Sequence, residues 1–276
     1  MGLDLLDLPM AQARFAQAEE ILGWSVPELC HSSEDKLSRT FYTQPCLYVV
    51  SAILAEQMIE RGHRPNLVAG HSLGEYVALY TAGVFSFEVG LQLVKRRAEL
   101  MDQAAGGTMT ALIGFERESL TAQIRQIPDV VLANDNHASQ IVISGTPSAV
   151  EQVLSQVKVK RVIPLNVSGA FHSPLMAAAA AEFQQVLEPL DFQPAQIPVL
   201  SNVDPTPAIA PDVLKQRLSQ QMTGAVRWRE ISLQLPQERI ERVIEVGPGK
   251  VLTGLIKRTC PNLMLENVSS VAELPT

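Results

Sequence analysis

Residues 70–74 read Gly70-His71-Ser72-Leu73-Gly74, a serine with a glycine two positions away on either side. The apolar stretch Asn66-Leu67-Val68-Ala69 leads into it and a helix-forming run from Glu75 to Ala82 leads out. A strand, a tight glycine-flanked turn and a helix in that order can present a serine hydroxyl at the tip of the turn, where a nucleophile is needed. The Leu73 N–H, at the start of the helix, would then face the oxyanion of a tetrahedral intermediate. A plain glycine-rich strand–helix turn has the same local pattern, so the serine needs a partner.

The chain has five histidines, His31, His63, His71, His137 and His172. His63 lies in the polar run Gly62-His63-Arg64-Pro65, and His137 in Asn134-Asp135-Asn136-His137-Ala138, read as a turn-rich, solvated connection. His172 stands apart, because Ser168-Gly169-Ala170-Phe171-His172-Ser173-Pro174 puts it in a small-residue loop between a strand and a helix start. It is the candidate general base. No aspartate between the two follows a clear core strand; Asp102, Asp129 and Asp135 are the ones available. A backbone carbonyl can fix the imidazole tautomer in place of an acid.

Other chemistries are poorly supported. Cys30, Cys46 and Cys260 are odd in number and widely spaced, which is neither a disulfide framework nor a zinc site. Gly247-Pro248-Gly249-Lys250-Val251 lacks the spacing of a phosphate loop and reads as a strand-to-helix turn. No metal and no cofactor is expected. With 22 Lys+Arg against 29 Asp+Glu the net charge is −7, a poor footprint for nucleic-acid binding. No basic-then-apolar leader opens the chain, and no apolar run reaches the ~18–20 residues of a membrane span. The expectation is a soluble, cytoplasmic protein.

The elements that must carry these residues follow from periodicity. Helices are expected over Ala11 to Leu22, from Pro45 at a first turn through Met58, and from Ser86 as N-cap to about Ala104. The apolar stripe of the second is Leu47, Val50, Ile53, Leu54 and Met58. Residues 108–167 then read strand, helix, strand, strand, helix, strand, the signature of a ferredoxin-like βαββαβ unit. Beyond it, helix and strand alternate again up to Arg242 to Val246 and a last helix from Lys250 to Arg258. The expected fold is α/β: an α/β-hydrolase-like core with a parallel sheet, residues 1–107 and 168–276, carrying an inserted ferredoxin-like subdomain, residues 108–167. At 276 residues with 46% apolar content, the chain can bury such a core.

Three segments carry a family resemblance: Gly70-His71-Ser72-Leu73-Gly74-Glu75-Tyr76, Gly169-Ala170-Phe171-His172, and Glu245-Val246-Gly247-Pro248-Gly249-Lys250-Val251-Leu252. In this order they resemble the malonyl-CoA:acyl carrier protein transacylases and the acyltransferase domains of polyketide synthases, over essentially the whole chain. The resemblance implies Ser72 as nucleophile, His172 as base and then acid, and the Leu73 N–H as an oxyanion donor. It implies that Arg97 grips the free carboxylate of a malonyl group, which suits a planar guanidinium. Arg96, about 100° round the helix, is the weaker choice. Phe171 and His71 are implied to line the acyl pocket, and Gly-Ala-Phe-His resembles the malonyl-selecting form. The implied partners are malonyl-CoA and an acidic acyl carrier protein, with a monomeric enzyme.

The carrier would need a local basic patch. Lys158, Lys160 and Arg161 form one candidate; Arg227, Arg229, Lys257 and Arg258 form another. Two departures from the family stand out. Its Asn-Pro-Val segment, whose carbonyl orients the base, is here Thr223-Gly224-Ala225-Val226-Arg227-Trp228. Met1-Gly2-Leu3-Asp4-Leu5 matches the stretch just after the family's Gly-Gln-Gly-Ser-Gln segment, source of a second oxyanion donor. The expectation is that the coding sequence begins upstream. The alternatives are a serine thioesterase or hydrolase, and an inactive N-terminally truncated form.

Overall fold

The computed structural model describes residues 1–31, 34–104, 106–167 and 169–275. Ser168, the first residue of the His172 loop as read from sequence, lies outside the described residues.

The chain opens with α1 (Pro9–Leu22), whose C-cap Gly23 is left-handed at φ 81°, followed by α2 (Val26–His31) and α3 (Glu34–Leu37). Next comes α4 (Thr40–Glu60). It begins five residues before Pro45, which therefore lies inside the helix and not in its first turn. The Thr43 hydroxyl donates to Arg39 O at 2.8 Å and helps hold the added turn. The predicted stripe is also too narrow. Cys46, Tyr48, Val49 and Ala52 are fully buried beside Val50, Ile53 and Leu54, so α4 is a central helix buried nearly all round.

Strand β1 (Val68–Ala69) leads to α5 (Gly74–Thr81) and then α6 (Phe87–Gln103), whose N-cap Ser86 accepts from Val89 N as its sequence position suggested. The middle of the chain is β2 (Thr108–Phe115), α7 (Arg117–Gln126), β3 (Val130–His137), β4 (Gln140–Gly145), α8 (Pro147–Gln156) and β5 (Val159–Pro164). Its four strands form one antiparallel sheet in the order β3-β4-β2-β5. Leu112, Ile141 and Ile143 of the sheet pack with Leu120, Ile124, Val150 and Val153 of the two helices as a core of their own.

After it come α9 (Ala177–Leu187), β6 (Val199–Leu200), α10 (Pro211–Gln220), α11 (Trp228–Gln237), β7 (Arg242–Val246), α12 (Val251–Thr259) and β8 (Met264–Val268). Among the described residues the expected parallel sheet is two separate parallel pairs, β1 with β6 and β7 with β8. The pattern of Met264-Leu265-Glu266-Asn267-Val268 hides β8, because two polar residues interrupt the apolar run. Asn267 serves a half-buried carboxylate instead, its Nδ2 donating to Glu245 Oε2 at 3.0 Å. The same carboxylate accepts from Leu252 N and Thr253 N, capping α12 across the Gly247-Pro248-Gly249 turn.

The segment expected to be a turn-rich, solvated connection is instead a buried strand end. Residues 134–137 continue β3 through register shifts against β4, and Asn134, Asp135, Asn136 and His137 are all buried, His137 at 3% exposure. Several of their polar groups are matched from outside the sheet. Val226 N donates to Ala133 O at 2.8 Å and Asp135 N to Val226 O at 2.9 Å. The Asp135 carboxylate takes Arg117 at 2.9 Å and Arg229 at 3.0 Å. The antiparallel sheet is thus sewn to the rest of the molecule along a polar seam.

Candidate active site

Three elements deliver the reactive groups. The turn between β1 and α5 carries Ser72, the loop after β5 carries His172, and α6 carries Arg97. Both Ser72 and His172 hold left-handed backbones, φ 51° and 57°, a strained region for residues with a Cβ. Gly70 permits the turn at Ser72: a Cβ there would sit 1.9 Å from the Gly74 carbonyl carbon. Gly107, ahead of β2, likewise lies where a Cβ would meet the Ala170 Cβ at 2.4 Å, next to the His172 loop.

Ser72 Oγ lies 2.8 Å from His172 Nε2. His172 Nδ1 is 2.9 Å from Gln221 O and 3.2 Å from Gly224 O. Carbonyls only accept, so Nδ1 carries the proton and Nε2 is left bare to take the serine's. The orienting group is therefore the backbone. Gly224 lies in the segment that the sequence singled out, but the nearer carbonyl, Gln221, precedes it and was missed. The aspartates stand elsewhere: Asp102 pairs with Arg39 and Asp135 with Arg117 and Arg229.

Arg97 is 1% exposed, and its Nη2 donates to Ser72 Oγ at 2.9 Å and to Gln221 Oε1 at 3.2 Å. Nη1 donates to Gln44 Oε1 at 2.5 Å, and the guanidinium carbon lies 5.5 Å from the Tyr76 ring centre. Its Nε has no hydrogen-bond partner among the described residues. Arg96 faces away, held by Glu99 and Glu182 on the surface. Burial and the nearby Arg97 cation push the His172 pKa down to about 3, so the imidazole is neutral at ordinary pH. Burial also lowers the Arg97 pKa.

Beneath the serine lies Glu75, fully buried, one oxygen accepting from Asn202 N at 3.2 Å and Gln221 Nε2 at 2.7 Å. Burial raises its pKa, against the hydrogen bonds of Gln221 and Asn202 and the charge of Arg97. Sequence reading missed Gln44, Glu75, Asn202 and Gln221. Glu75 alone carried a signal, an acidic residue on a helix whose neighbours are all apolar.

The Leu73 N–H, one residue ahead of α5, faces no protein acceptor among the described residues. Leu73 and His71 line a cavity of about 330 Å³ with Asn136, Gln140, Gly247 and Pro248. His71 Nε2 lies 3.0 Å from Asn136 Oδ1 and its ring 5.6 Å from that of Trp228. His71 therefore both lines the cavity and braces the seam to β3. Phe171 is buried at 6% exposure in the main core, adjoining His172 in the chain. No group of His, Cys, Asp and Glu side chains among the described residues could hold a metal ion, and the three cysteines are free and buried. No helix among them is long and apolar enough to cross a membrane.

A serine hydroxyl with a bare imidazole nitrogen and a buried arginine at its oxygen suits attack on an acyl group that carries its own anion. Comparison with known proteins agrees. The family described as "Acyl transferase domain" matches residues 1–276. The malonyl CoA-acyl carrier protein transacylase of Synechocystis sp. (strain ATCC 27184 / PCC 6803 / Kazusa) is 54% identical over 99% of this chain and 94% of its own. The crystal structure of the Synechocystis sp. PCC 6803 malonyl-CoA:ACP transacylase superposes with a TM-score of 0.98, at 54% identity, covering 99% of this chain and 94% of that one. A type II PKS acyl-carrier protein in complex with its malonyl-transacylase matches with a TM-score of 0.93 at 35% identity, over 98% and 92% of the chains. By fold, site and sequence, the chain belongs to the acyl transferase domain family.

Proposed function

We propose that the protein transfers the malonyl group of malonyl-CoA to the phosphopantetheine thiol of an acyl carrier protein, through a malonyl ester of Ser72. One observation carries the reading: the Arg97 guanidinium, buried, stands 2.9 Å from the same hydroxyl that His172 can deprotonate. A cation so close to the reacting oxygen favours an acyl chain bearing a carboxylate.

His172 Nε2 takes the Ser72 proton as Oγ attacks the thioester carbonyl carbon. The Leu73 N–H donates to the oxyanion, and the imidazolium, stabilised by the Gln221 and Gly224 carbonyls, returns its proton to the departing CoA thiolate. The carrier's thiol then gives its proton to His172 and attacks the ester, and collapse of the second tetrahedral adduct re-protonates Ser72. Arg97 holds the malonyl carboxylate throughout, with Gln44 and Gln221 fixing the guanidinium. His71 and Phe171 shape the walls beside it. Each step uses side chains and backbone of this chain, with malonyl-CoA as substrate.

The division into a core, residues 1–107 and 168–276, and a ferredoxin-like subdomain, residues 108–167, is supported by the separate sheet and separate apolar cluster of the latter. Between the two basic patches, charge favours the one on β5. In the other patch Arg227 is spent on Glu230 and Arg229 on Asp135, which leaves Lys257 and Arg258 exposed. Lys158, Lys160 and Arg161 are exposed, with no carboxylate paired to them among the described residues. They line a strand that runs toward the His172 loop, so an acidic carrier seated there could reach Ser72 with its arm.

The test is incubation with malonyl-CoA, with and without carrier. Malonyl-carrier should accumulate and free malonate should stay low. Free malonate at the same rate in both would overturn the transferase reading in favour of hydrolysis.

A further inference from the structure

Ser72 sits at φ 51°, and neither of its backbone polar groups is left to the local turn alone. Its N–H donates to Asn202 Oδ1 at 2.7 Å. The other end of the same carboxamide, Asn202 Nδ2, donates to Gly70 O at 2.6 Å. Asn202 is completely buried. The donor and acceptor it meets fix which end is oxygen and which is nitrogen, since an N–H needs an acceptor and a carbonyl a donor.

The register explains why an asparagine is placed there. β1 and β6 run parallel with Val68 opposite Val199 and Ala69 opposite Leu200. One residue further the chain of β1 must turn sharply to present Ser72, and the backbone ladder ends. Asn202, two residues past β6, continues the pairing with its side chain, spanning from Gly70 to Ser72 across the turn. Its own backbone is anchored on both sides: Asn202 N donates to Glu75 Oε2 at 3.2 Å, and Arg227 N donates to Asn202 O at 3.0 Å. From the far side Gln221 Nε2 donates to Ser72 O at 2.9 Å.

We propose that Asn202 is a positioning residue of the acyl-transfer reaction: its carboxamide, bridging Gly70 O and Ser72 N, holds the left-handed backbone of Ser72 and so aims Oγ at the substrate carbonyl and at His172. The inference rests on the acyl-transfer reading for the reaction it serves. Without the bridge the turn is free to relax toward an unstrained φ, carrying Oγ away from His172 Nε2. A displacement near 1 Å at a reacting atom costs about 100-fold in rate.

Two variants test this in the full chain. Asn202→Ala removes the bridge. Asn202→Asp keeps an acceptor for Ser72 N, but the ionised carboxylate cannot donate to Gly70 O; once protonated, it can. For Asn202→Ala, kcat for malonyl transfer should fall about 100-fold while KM for malonyl-CoA moves less than about threefold. For Asn202→Asp, the ratio of variant to parent kcat should rise as pH falls from about 8 to about 6, because a buried carboxyl takes up its proton in that range. A purely structural asparagine would lower thermal stability in both variants and leave kcat per folded molecule within about threefold of the parent, with a flat ratio; that result overturns the proposal.

Labelling of Ser72 by a small fluorophosphonate needs only an aimed hydroxyl and its base. It should slow in Asn202→Ala by a factor similar to kcat. A parent that labels normally yet transfers no malonyl group would overturn the acyl-transfer reading. Labelling of the variant as fast as the parent would overturn the role given to Asn202.

Discussion

The turn at Ser72 and the four-stranded sheet of residues 108–164 solve opposite problems. In the sheet, Leu112, Ile141 and Ile143 meet Leu120, Ile124 and Val150 in a core whose members all lie within one stretch of chain. At the turn, Ser72 is held by Asn202, Gln221, His172 and Arg97, drawn from 25 to 149 residues away. The face of the sheet under its two helices is apolar, with Leu112, Ile141 and Ile143 buried there. The turn buries a carboxylate, a guanidinium and two amides around two left-handed residues. The sheet has an apolar core of its own and the turn holds the polar cluster around Ser72, so substitutions should separate folding from chemistry.

The largest effect belongs to the turn. Ser72→Ala should reduce malonyl transfer by about 10⁴–10⁶-fold, with thermal unfolding changed by no more than ~0.5 kcal/mol. Steady-state assays and calorimetry on the same preparation check both halves. The sheet should respond the other way. Leu112→Ala removes a fully buried side chain and should cost about 2–5 kcal/mol of stability, read by urea unfolding, while kcat per folded molecule stays near the parent's.

Arg97→Gln should lower kcat/KM for malonyl-CoA by about 100-fold and affect acetyl-CoA far less, since only malonyl presents a carboxylate. Its pH profile gives a second, signed readout. The Arg97 cation disfavours a charged imidazole and helps hold His172 near 3. Removing that charge should raise the His172 pKa, so the acidic limb of kcat/KM with acetyl-CoA should move to higher pH. The smallest effect concerns the outer strand. Lys160→Glu with Arg161→Glu should weaken kcat/KM for the carrier about tenfold and leave acylation by malonyl-CoA unchanged.

The same contrast explains what could be read from the residues. Regular elements that bury apolar faces close to one another in sequence announce themselves, and β2, α7, β3, β4, α8 and β5 follow the expected order strand, helix, strand, strand, helix, strand. Ser72 and His172 drew notice through local patterns of flanking residues, and Arg97 through the family resemblance alone. Gln44, Glu75, Asn202 and Gln221 were not, since an isolated amide carries no pattern until folding brings it to a partner. His137 and its neighbours Asn134, Asp135 and Asn136 misled for the same reason: they look like a solvated turn until Arg117, Arg229, Val226 and His71 supply their bonds. β8 hid behind Glu266 and Asn267, and the early start of α4 behind Pro45.

The central claim is that Ser72 itself carries the malonyl group between donor and carrier. Intact-protein and peptide mass spectrometry after mixing with malonyl-CoA tests it directly. One malonyl ester is expected, on the peptide bearing Ser72, and it should disappear on adding carrier as malonyl-carrier appears in equal amount. An enzyme that loads the carrier without ever showing that ester, or that bears it on another residue, would contradict it.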